Sequence, residues 1–547
     1  MIPVPKTGLK TQFGVRIRQS IWKDFPSLSR EILELRKVSI DNKLLFGYVV
    51  AVKSSITQNM IKIRTESAMI GRTEEQKMLQ SLLEEEEPQF VAVYGRRRIG
   101  KTYLIRESFH YSFTFQHTGI SNNSLTPGDR MQAQLDKFAE SLSEAGFQPT
   151  GKLRTWNDAF NALKQVIIHS QEKKKVIFID ELSWMDTRQS GLISALESFW
   201  NGWVTARSEK DVILIVCASA TYWMINNIVN ARGGLHNRLT GTIHLKPFTL
   251  KECEEYLASK KILLNRHQIL QCYMVLGGVP YYWSLLKKGR SLPQNIDDLF
   301  FIEGAPLQNE YRNLYQALFH KPDQYMRIIE ALSHANQGIT REEICHRTGI
   351  PASGNLSHKL EELECSGFIR KYVPFGYQKR NSLYQLMDNY TLFYFKFIRN
   401  KAHDENYWKT KVNSPEIYAW SGVAFERVCL EHVPQIKAAL GIAGVSTEVN
   451  AWHCDPDLDQ GIYGSQIDLL IVRRDQIINM CEMKYSETEF LADAAYDRAQ
   501  QRKMSDFLKI TKTKYAIHPT LVTTYGVENN ANSGNIQSVI TADHLFM

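Results

Sequence analysis

The sequence predicts an α/β protein built on a parallel sheet, and three apolar segments support that prediction. Residues 90–94 run into a glycine-rich loop, residues 176–179 end in two acids, and residues 212–218 end in small hydroxyl-bearing residues. Continuous apolar runs of this kind are typical of strands buried on both faces of a parallel sheet. Because the carboxyl ends of such strands meet at one edge, we expect the residues that follow them to form one site.

The glycine-rich loop, residues 95–102, reads Gly-Arg-Arg-Arg-Ile-Gly-Lys-Thr, which is the phosphate-loop (P-loop) signature. Gly95 and Gly100 permit backbone angles that turn amide N–H groups toward a polyphosphate. Lys101 supplies a charge for the β- and γ-phosphates, and the Thr102 hydroxyl can ligate Mg²⁺. A surface turn with this pattern by chance is disfavoured by the strand before it and the helix after it. The predicted nucleotide-binding residues are Gly95, Arg96, Arg97, Arg98, Ile99, Gly100, Lys101, Thr102 and Tyr103.

The second and third segments supply the predicted catalytic groups. Asp180 would hold the Mg²⁺ shell, and Glu181 would polarise the attacking water, unless the pair is only an exposed acidic turn. Ser219 is our predicted sensor of the γ-phosphate, with Thr221 as second choice, and a plain strand-to-loop exit is the alternative. Arg238 could neutralise charge developing during phosphoryl transfer, or could be an ordinary surface arginine.

The length, composition, charge and cysteine spacing of the chain limit its structural class and its cellular location. With 547 residues the chain is too long for one core, and 43% hydrophobic with 23% charged residues describes an ordinary globular protein. The net charge of +8 permits contact with nucleic acid without requiring it. The eight cysteines form no C-x-x-C pair and no apolar run reaches membrane-spanning length, so we expect a cytoplasmic protein without a membrane partner.

The order of predicted elements over residues 323–382 is that of a winged helix. A helix is followed by a Thr340-capped helix, a glycine turn, a third helix and a hairpin near residues 375–376. In a DNA-binding protein the third helix would offer Asn355, Ser357, His358 and Lys359 to double-stranded DNA, and the wing would offer Arg370, Lys371, Lys379 and Arg380 to phosphates. The alternative is a protein-docking module, since three glutamates lie on the same third helix.

The C-terminal segment contains a second set of chemical residues. Asp468 lies in one predicted strand, Glu482-x-Lys484 lies in its hairpin partner, and Glu426 lies in a preceding helix. Strand alternation places Glu482 and Lys484 on one face. Asp468 and Glu482 would bind Mg²⁺, and Lys484 would position water for phosphodiester attack; an inactive relative with the same acids is the alternative.

Together these elements resemble the archaeal and bacterial P-loop ATPases of the AAA+/STAND-like group, which carry a lid, a winged helix and a PD-(D/E)xK nuclease-like domain. The matching stretches are residues 70–74, 95–102, 178–182, 218–219, 235–238, 246–248 and 277–281, with Ala218 where a glycine is expected. The resemblance implies ATP rather than GTP as ligand, a site built from Lys101, Thr102, Asp180 and Glu181, and an oligomeric or switch-like role.

The predicted fold is thus an α/β P-loop NTPase with a helical lid, followed by a winged helix and a restriction-endonuclease-like α/β domain. The predicted boundaries are an N-terminal extension (1–66), the ATPase core (67–250), the lid (251–322), the winged helix (323–382), a linker helix (383–415) and the nuclease-like domain (416–547). The predicted function is an Mg²⁺-dependent ATPase whose nucleotide state controls DNA-associated or partner-associated domains. The alternatives are an ATP-gated DNA nuclease and a tight-binding nucleotide switch that signals to a protein partner or by self-association.

Overall fold

A computed structural model of the chain describes residues 69–121, 126, 128–187, 189–399 and 404–547. Residues 70–547 form one compact unit. The predicted extension over residues 1–66 and the side chain of Lys379 lie outside the described residues. Within the described residues, every helix is too short or too polar to cross a lipid bilayer.

A five-stranded parallel sheet forms the centre of the first half of this unit. Its strands are β1 (Gln89–Tyr94), β2 (Phe115–Thr118), β3 (Lys175–Asp180), β4 (Val212–Ala218) and β5 (Gly241–His244). The order is β2-β3-β4-β1-β5, so β4 lies between the strand before the P-loop and the strand that ends in Asp180. Every residue of β1, β3 and β4 is buried, which confirms the parallel sheet predicted from their unbroken apolar runs.

One predicted strand is shorter than expected. The aromatic run from residue 111 predicts a strand, but β2 begins only at Phe115. His110 and Tyr111 have φ angles of 51° and 58°, in the left-handed region, so the chain turns there before it can extend.

Helices cover both faces of this sheet. They are α1 (Thr73–Ser81), α2 (Lys101–Ser108), α3 (Arg130–Glu144), α4 (Trp156–His169), α5 (Leu182–Met185), α6 (Leu192–Phe199) and α7 (Thr221–Met224), with π-helical continuations of α6 over Trp200–Val204 and of α7 over Ile225–Val229. Helix α4 begins with a complete capping box, in which Thr155 Oγ1 accepts from the amide of Asp158 and the Asp158 carboxylate accepts from the amide of Thr155.

Five helices follow the sheet: α8 (Leu250–Ser259), α9 (Arg266–Leu276), α10 (Pro280–Ser284), α11 (Leu292–Phe300) and α12 (Glu310–Leu318). Their predicted glycine break is real. A Cβ at Gly278 would lie 2.0 Å from the carbonyl oxygen of Phe248, so only glycine allows these two backbone segments to meet.

The next segment combines three helices with a small antiparallel sheet. It contains α13 (Pro322–Ser333), β6 (Ile339–Thr340), α14 (Arg341–Thr348), α15 (Gly354–Cys365), β7 (Ile369–Tyr372) and β8 (Leu383–Leu386), with strand order β6-β8-β7. Thr340 caps α14 through its hydroxyl as its sequence position predicts. Strand β8 occupies residues that were expected to begin a linker helix, because they pair with β7 and β6 instead.

Helix α15 packs part of its predicted DNA-facing set against the rest of the chain. His358 packs edge-on against Tyr222 of α7 with ring centroids 4.5 Å apart, and the Tyr222 hydroxyl donates to Glu361 at 3.3 Å. Lys359 is only 5% exposed and lies over the ring of Tyr325. Lys359 is therefore unavailable to a DNA groove in this arrangement. Asn355 is exposed and the His358 side chain is half-exposed, so contact of α15 with DNA stays a prediction.

The remaining elements are α16 (Asn389–Phe393) with a π-helical continuation over Tyr394–Ile398, α17 (Tyr407–Lys411), α18 (Pro415–Glu431), α19 (Val433–Ala439), β9 (Thr447–Cys454), β10 (Ser465–Arg473), β11 (Ile477–Lys484), α20 (Ala494–Thr511), β12 (Ala516–Thr523) and β13 (Ser538–Thr541). Short 3₁₀ turns cover Lys379–Asn381, Leu458–Gln460, Ser533–Asn535 and Ala542–Phe546. The last sheet has the order β13-β12-β11-β10-β9, antiparallel from β9 to β11 and parallel from β11 to β13.

Candidate nucleotide site and acidic cluster

The backbone of the P-loop explains why its glycines are there. Gly95 has φ of 144°, and a Cβ at this position would lie 2.2 Å from the carbonyl oxygen of Leu245. Gly100 has φ of 90° and immediately precedes α2, whose first turn is closed by the Leu104 amide on Gly100 O at 2.8 Å. The loop therefore ends at a helix N-terminus, which together with its amides favours a polyphosphate.

Lys101 lies at the centre of the site and is only 5% exposed. Its ammonium donates to Gly95 O at 2.9 Å, to Arg96 O at 3.0 Å and to Ser219 Oγ at 3.0 Å. All three donors of the ammonium thus have partners, and one of them belongs to the end of β4. The strand order brings Ser219 to the P-loop as the sequence predicts.

Thr102 and Asp180 form the other side of the site. The Thr102 hydroxyl donates to Asp180 Oδ2 at 2.7 Å, and Asp180 Oδ1 accepts from the Glu181 amide at 3.0 Å. A hydroxyl and a carboxylate oxygen side by side are ligands that suit Mg²⁺. These two residues could therefore hold a magnesium ion that also binds the phosphates.

Glu181 adopts an unusual backbone conformation, with φ of 50°. Its carboxylate reaches across to β4, where Oε2 accepts from the Ser219 amide at 3.1 Å and Oε1 accepts from Ser219 Oγ at 2.5 Å. Ser219 therefore links Lys101 and Glu181 directly. Thr221, the second choice for the sensor, is fully buried and makes no such contact.

Two of the three P-loop arginines pair with acids from much later in the chain. Arg96 is buried and pairs with Asp388 at 2.5 Å, with its guanidinium carbon 4.5 Å from the ring centroid of Phe368. Burial alone would lower the pKa of Arg96, but the charge of Asp388 outweighs it and raises that pKa. Arg98 pairs with Glu310 at 2.6 Å.

The other predicted loop residues have simpler surroundings. Arg98 also lies over Tyr281, and Arg97 lies over Trp184 with its guanidinium carbon 5.8 Å from the ring centroid. Ile99 is buried beneath the loop, while Tyr103 is 49% exposed at the start of α2. The side chains of Arg96 and Arg98 are thus engaged by acids and that of Ile99 is buried, so phosphate contacts of these three residues would come from their backbone amides.

Arg238 lies on an exposed turn after α7, and within the described residues it makes no ion pair. Its role as a charge-neutralising arginine stays a prediction. Arg72, in the turn before α1, lies over Phe248 with its guanidinium carbon 4.8 Å from the ring centroid and donates to Lys246 O. It joins the entry of the domain to the exit of β5.

A second cluster of charged residues lies in the last sheet. Glu482 and Lys484 are on one face of β11, as strand alternation predicts, with the Lys484 ammonium 2.8 Å from Glu482 Oε1. The other oxygen of Glu482 lies 2.7 Å from the ammonium of Lys503 on α20. Nothing in the sequence marks Lys503 as a site residue, because it is one of four basic residues in an amphipathic helix.

Glu426 and Asp468 lie beside this pair. Burial, followed by the charge of Asp468, raises the pKa of Glu426 to about 7. The pairing of β9 and β10 shifts register between Ile467 and Leu470, a bulge that redirects Asp468. The structure therefore brings together the predicted nuclease residues Glu426, Asp468, Glu482 and Lys484.

These acids do not form a ready metal site. Both oxygens of Glu482 are held by lysine ammoniums. In the part of the chain that the structure describes, no three His, Cys, Asp or Glu side chains are close enough to hold a metal ion. Binding of Mg²⁺ by Asp468 and Glu482 would require Glu482 to release these ammoniums, and it stays a prediction.

The hairpin of β7 and β8 lies against this acidic cluster. Arg370, predicted to contact DNA phosphates, donates a hydrogen bond from Nε to Gln385 Oε1. Burial lowers the pKa of Arg370 to about 10, although the charges of Asp468 and Glu426 act to raise it. At the hairpin tip, the amide of Phe375 donates to Ala451 O at 2.8 Å and thereby joins β9. The hairpin therefore covers the cluster rather than an outer surface.

Comparison with known proteins bears on the first half of the chain. Residues 69–286 match the family described as the ATPase domain predominantly from Archaea. An uncharacterized protein of Methanocaldococcus jannaschii is 24% identical over 397 residues, covering 71% of this chain and 83% of that protein. The matched family segment contains the P-loop, Asp180, Glu181 and Ser219.

Two solved structures are similar in outline. The Walker-type ATPase of Pyrococcus abyssi is 15% identical with a TM-score of 0.39, covering 60% of this chain and 95% of that chain. The ORC2 protein of Aeropyrum pernix in ADPNP–ADP complexes is 13% identical with a TM-score of 0.36, covering 66% and 95%. At these values neither protein supplies a substrate or a partner for this chain.

Proposed function

We propose that the ATPase domain of residues 69–286 is an Mg²⁺-dependent ATPase whose nucleotide state sets the placement of the domains that follow it. ATP is the substrate, and water attacks its γ-phosphorus to give ADP and phosphate. Lys101 and the loop amides bind the phosphates, and Thr102 with Asp180 holds Mg²⁺, which supplies charge neutralisation at the transferred phosphoryl group. Glu181 orients and polarises the attacking water.

The observation that carries this proposal is the pairing of P-loop arginines with residues far along the chain. Arg96 pairs with Asp388, 292 residues later, and Arg98 pairs with Glu310. Because both arginines lie within the loop that would surround the phosphates, a change in loop conformation alters both pairs. The lid and the segment after β8 are thereby coupled to nucleotide binding.

A buried histidine adds a third connection. The ring of His432, just after α18, accepts at Nε2 from the Leu250 amide at 3.1 Å, while its Nδ1 lies 2.8 Å from Val428 O. Burial lowers the pKa of His432 to about 4, so the ring is neutral and the two contacts fix its tautomer. The first helix of the lid is thus tied directly to the last domain.

A second candidate function is an ATP-gated DNA nuclease. The convergence of Glu426, Asp468, Glu482 and Lys484 supports it, and residues 323–386 have the helix-and-hairpin order expected of a winged helix. Since the hairpin covers the cluster and Glu482 is held by lysines, cleavage would require both contacts to open. The nucleotide-dependent pair of Arg96 and Asp388, close to β8, offers a way to open them.

A third candidate, a tight-binding nucleotide switch with a protein partner or self-association, is supported by the packing of α15. Its contacts with α7 through His358 and Glu361 support a protein-docking role for this helix. In such a switch the same surface would bind a partner after it separates from α7. Purified protein that retains ADP or ATP with negligible turnover would favour this function over continuous hydrolysis.

Steady-state ATP hydrolysis with Mg²⁺ tests the main proposal. Lys101→Ala removes the ammonium that would bind the phosphates, and we expect kcat to fall at least about a hundredfold, the scale of losing a group that stabilises transition-state charge. Lys137→Ala removes a half-exposed lysine that pairs with Glu140, and this matched control should leave the rate unchanged. Equal rates for both variants and the unmodified chain would show that the assigned site is wrong.

A further inference from the structure

A cavity of about 510 Å³ opens beside Glu482 in the last domain. It lies between α20 and strands β11 and β12, next to the loop at residues 532–537. Its size falls in the range that holds small organic ligands. Nothing in the ATPase chemistry uses it.

The lining combines apolar walls with carboxamide groups. The carboxamides are Gln500, Gln501, Asn532, Asn535 and Gln537, and the apolar residues include Met480, Met504 and Ile517. Gln501 and Asn535 both donate to Asp497 at 2.8 Å, which holds this part of the wall in place. The side chains of Gln500, Asn532 and Gln537 make no hydrogen bond to any described residue, so their donors and acceptors remain available.

This combination suits a nucleobase better than a sugar or an acid. A carboxamide carries both a donor and an acceptor and pairs with base edges, while the ring of Tyr496 and the apolar side chains of the lining can contact base faces. The carboxylate nearest the opening, Glu482, is already neutralised by two lysines.

Charge at the cavity comes from the lysines that bind Glu482. The ammoniums of Lys484 on β11 and Lys503 on α20 lie 2.8 Å and 2.7 Å from the two oxygens of Glu482, which lines the cavity. Within α20 the acids are Asp497, which binds Gln501 and Asn535, and Asp506, which is buried against Ser465. Ammonium groups at the edge of the cavity suit a phosphate of a nucleic-acid strand.

We propose that this cavity binds an unpaired base of a DNA strand, with the neighbouring phosphodiester beside the ammoniums of Lys484 and Lys503 at Glu482. A base within a duplex cannot reach a pocket between a helix and a sheet, so the strand must be single or the base extruded. The proposal rests on the proposed DNA-directed function of the last domain.

The test uses the full chain in EDTA with a single-stranded oligodeoxynucleotide that contains one 2-aminopurine. Fluorescence reports the surroundings of that base, and anisotropy of an end label gives Kd. Combining Gln500→Ala with Gln537→Ala should weaken binding roughly tenfold and abolish the 2-aminopurine signal, the scale of losing contacts to one base. Gln460→Ala, an exposed glutamine outside the cavity, is the control and should match the unmodified chain.

Three outcomes would overturn the proposal: equal Kd for the cavity variant and the control, duplex DNA binding as tightly as single-stranded DNA, or RNA of the same sequence binding more tightly. ATP hydrolysis by each variant verifies that it is folded. Plasmid cleavage with Mg²⁺ or Mn²⁺, compared with Asp468→Ala, is scored separately. If the chain binds the base but does not cleave the plasmid, the nuclease function is wrong and the cavity assignment stands. If it cleaves the plasmid but does not bind the base, the cavity assignment is wrong and the nuclease function stands.

Discussion

The pair of Arg96 and Asp388 provides the sharpest prediction, because it is both buried and remote in sequence. The two side chains are 6% and 3% exposed, and their charged atoms are 2.5 Å apart. Asp388→Asn keeps the size of the side chain and its helix-capping oxygen, yet leaves the Arg96 charge unpaired in the interior. Removing one partner of a buried ion pair costs about 3–5 kcal/mol.

Hydrogen exchange of the amides in β8 and α16 measures this cost locally, which suits a chain with several domains. A loss of about 3 kcal/mol corresponds to an increase of roughly a hundredfold in the local opening equilibrium. Glu140→Gln, which breaks the exposed pair with Lys137, is the control and should cost below about 1 kcal/mol. We further expect ATP to change exchange at β8 in the unmodified chain and to have no effect there in Asp388→Asn.

A third variant separates stability from coupling. Arg96→Met combined with Asp388→Leu removes both charges, and apolar replacement of a buried pair is often neutral or stabilising. Protection of β8 should therefore return while its response to ATP does not. The reasoning is refuted if Asp388→Asn exchanges no faster than Glu140→Gln, or if the double variant still responds to ATP.

Two further predictions concern the two sites separately. Gly95→Ala should abolish binding of a fluorescent ATP analogue, because its Cβ would lie 2.2 Å from Leu245 O. Gly151→Ala is the control and should bind the analogue normally, because a Cβ there would meet open space. Equal affinities of the two variants would contradict the loop geometry. Burial and Asp468 raise the pKa of Glu426 from 4.5 to about 7, so the folded chain holds this proton more tightly than the unfolded chain. The stability tied to that proton is complete below pH 4.5 and is lost as pH rises through 7, by up to about 3 kcal/mol. Glu426→Gln should therefore raise the thermal midpoint relative to the unmodified chain at pH 8 but not at pH 4.5, and an equal difference at both values would count against this account.

The sequence alone was enough to predict the motifs and helices that depend on residues close together in the chain. The P-loop, Asp180 and Glu181 follow from residue type and spacing after buried strands, and the parallel order then necessarily brings them together. The shared face of Glu482 and Lys484 follows in the same way from the two-residue period of a strand. Helices α3 and α4 were predictable because each has a regular apolar face and α4 has a capping box.

The rest depends on contacts between residues that are distant in the chain. Nothing near Arg96 or Arg98 in sequence indicates Asp388 or Glu310 as partners. The wing arginine Arg370 has the sequence context of a DNA contact, yet the domain after it covers it. Residue type alone could not distinguish a cation that faces solvent from one that a later domain buries.

The contacts of the P-loop arginines also indicate an energetic coupling between the phosphate loop and later segments of the chain. A loop that only bound phosphate would have no need of long cations at its variable positions, since amides and Lys101 supply the contacts. Here two of them pair with Glu310 and Asp388. Without the arginines these acids would keep their hydrogen bonds to Tyr282 and Thr391 but lose the cations that balance their buried charges. The loop and the later domains therefore stabilise each other, so any ligand that shifts the loop changes the free energy of the later contacts, and by linkage a ligand of the later domains changes ATP affinity equally. Measured ATP affinity with and without single-stranded DNA should accordingly differ in the unmodified chain and not in the doubly apolar Arg96→Met, Asp388→Leu variant.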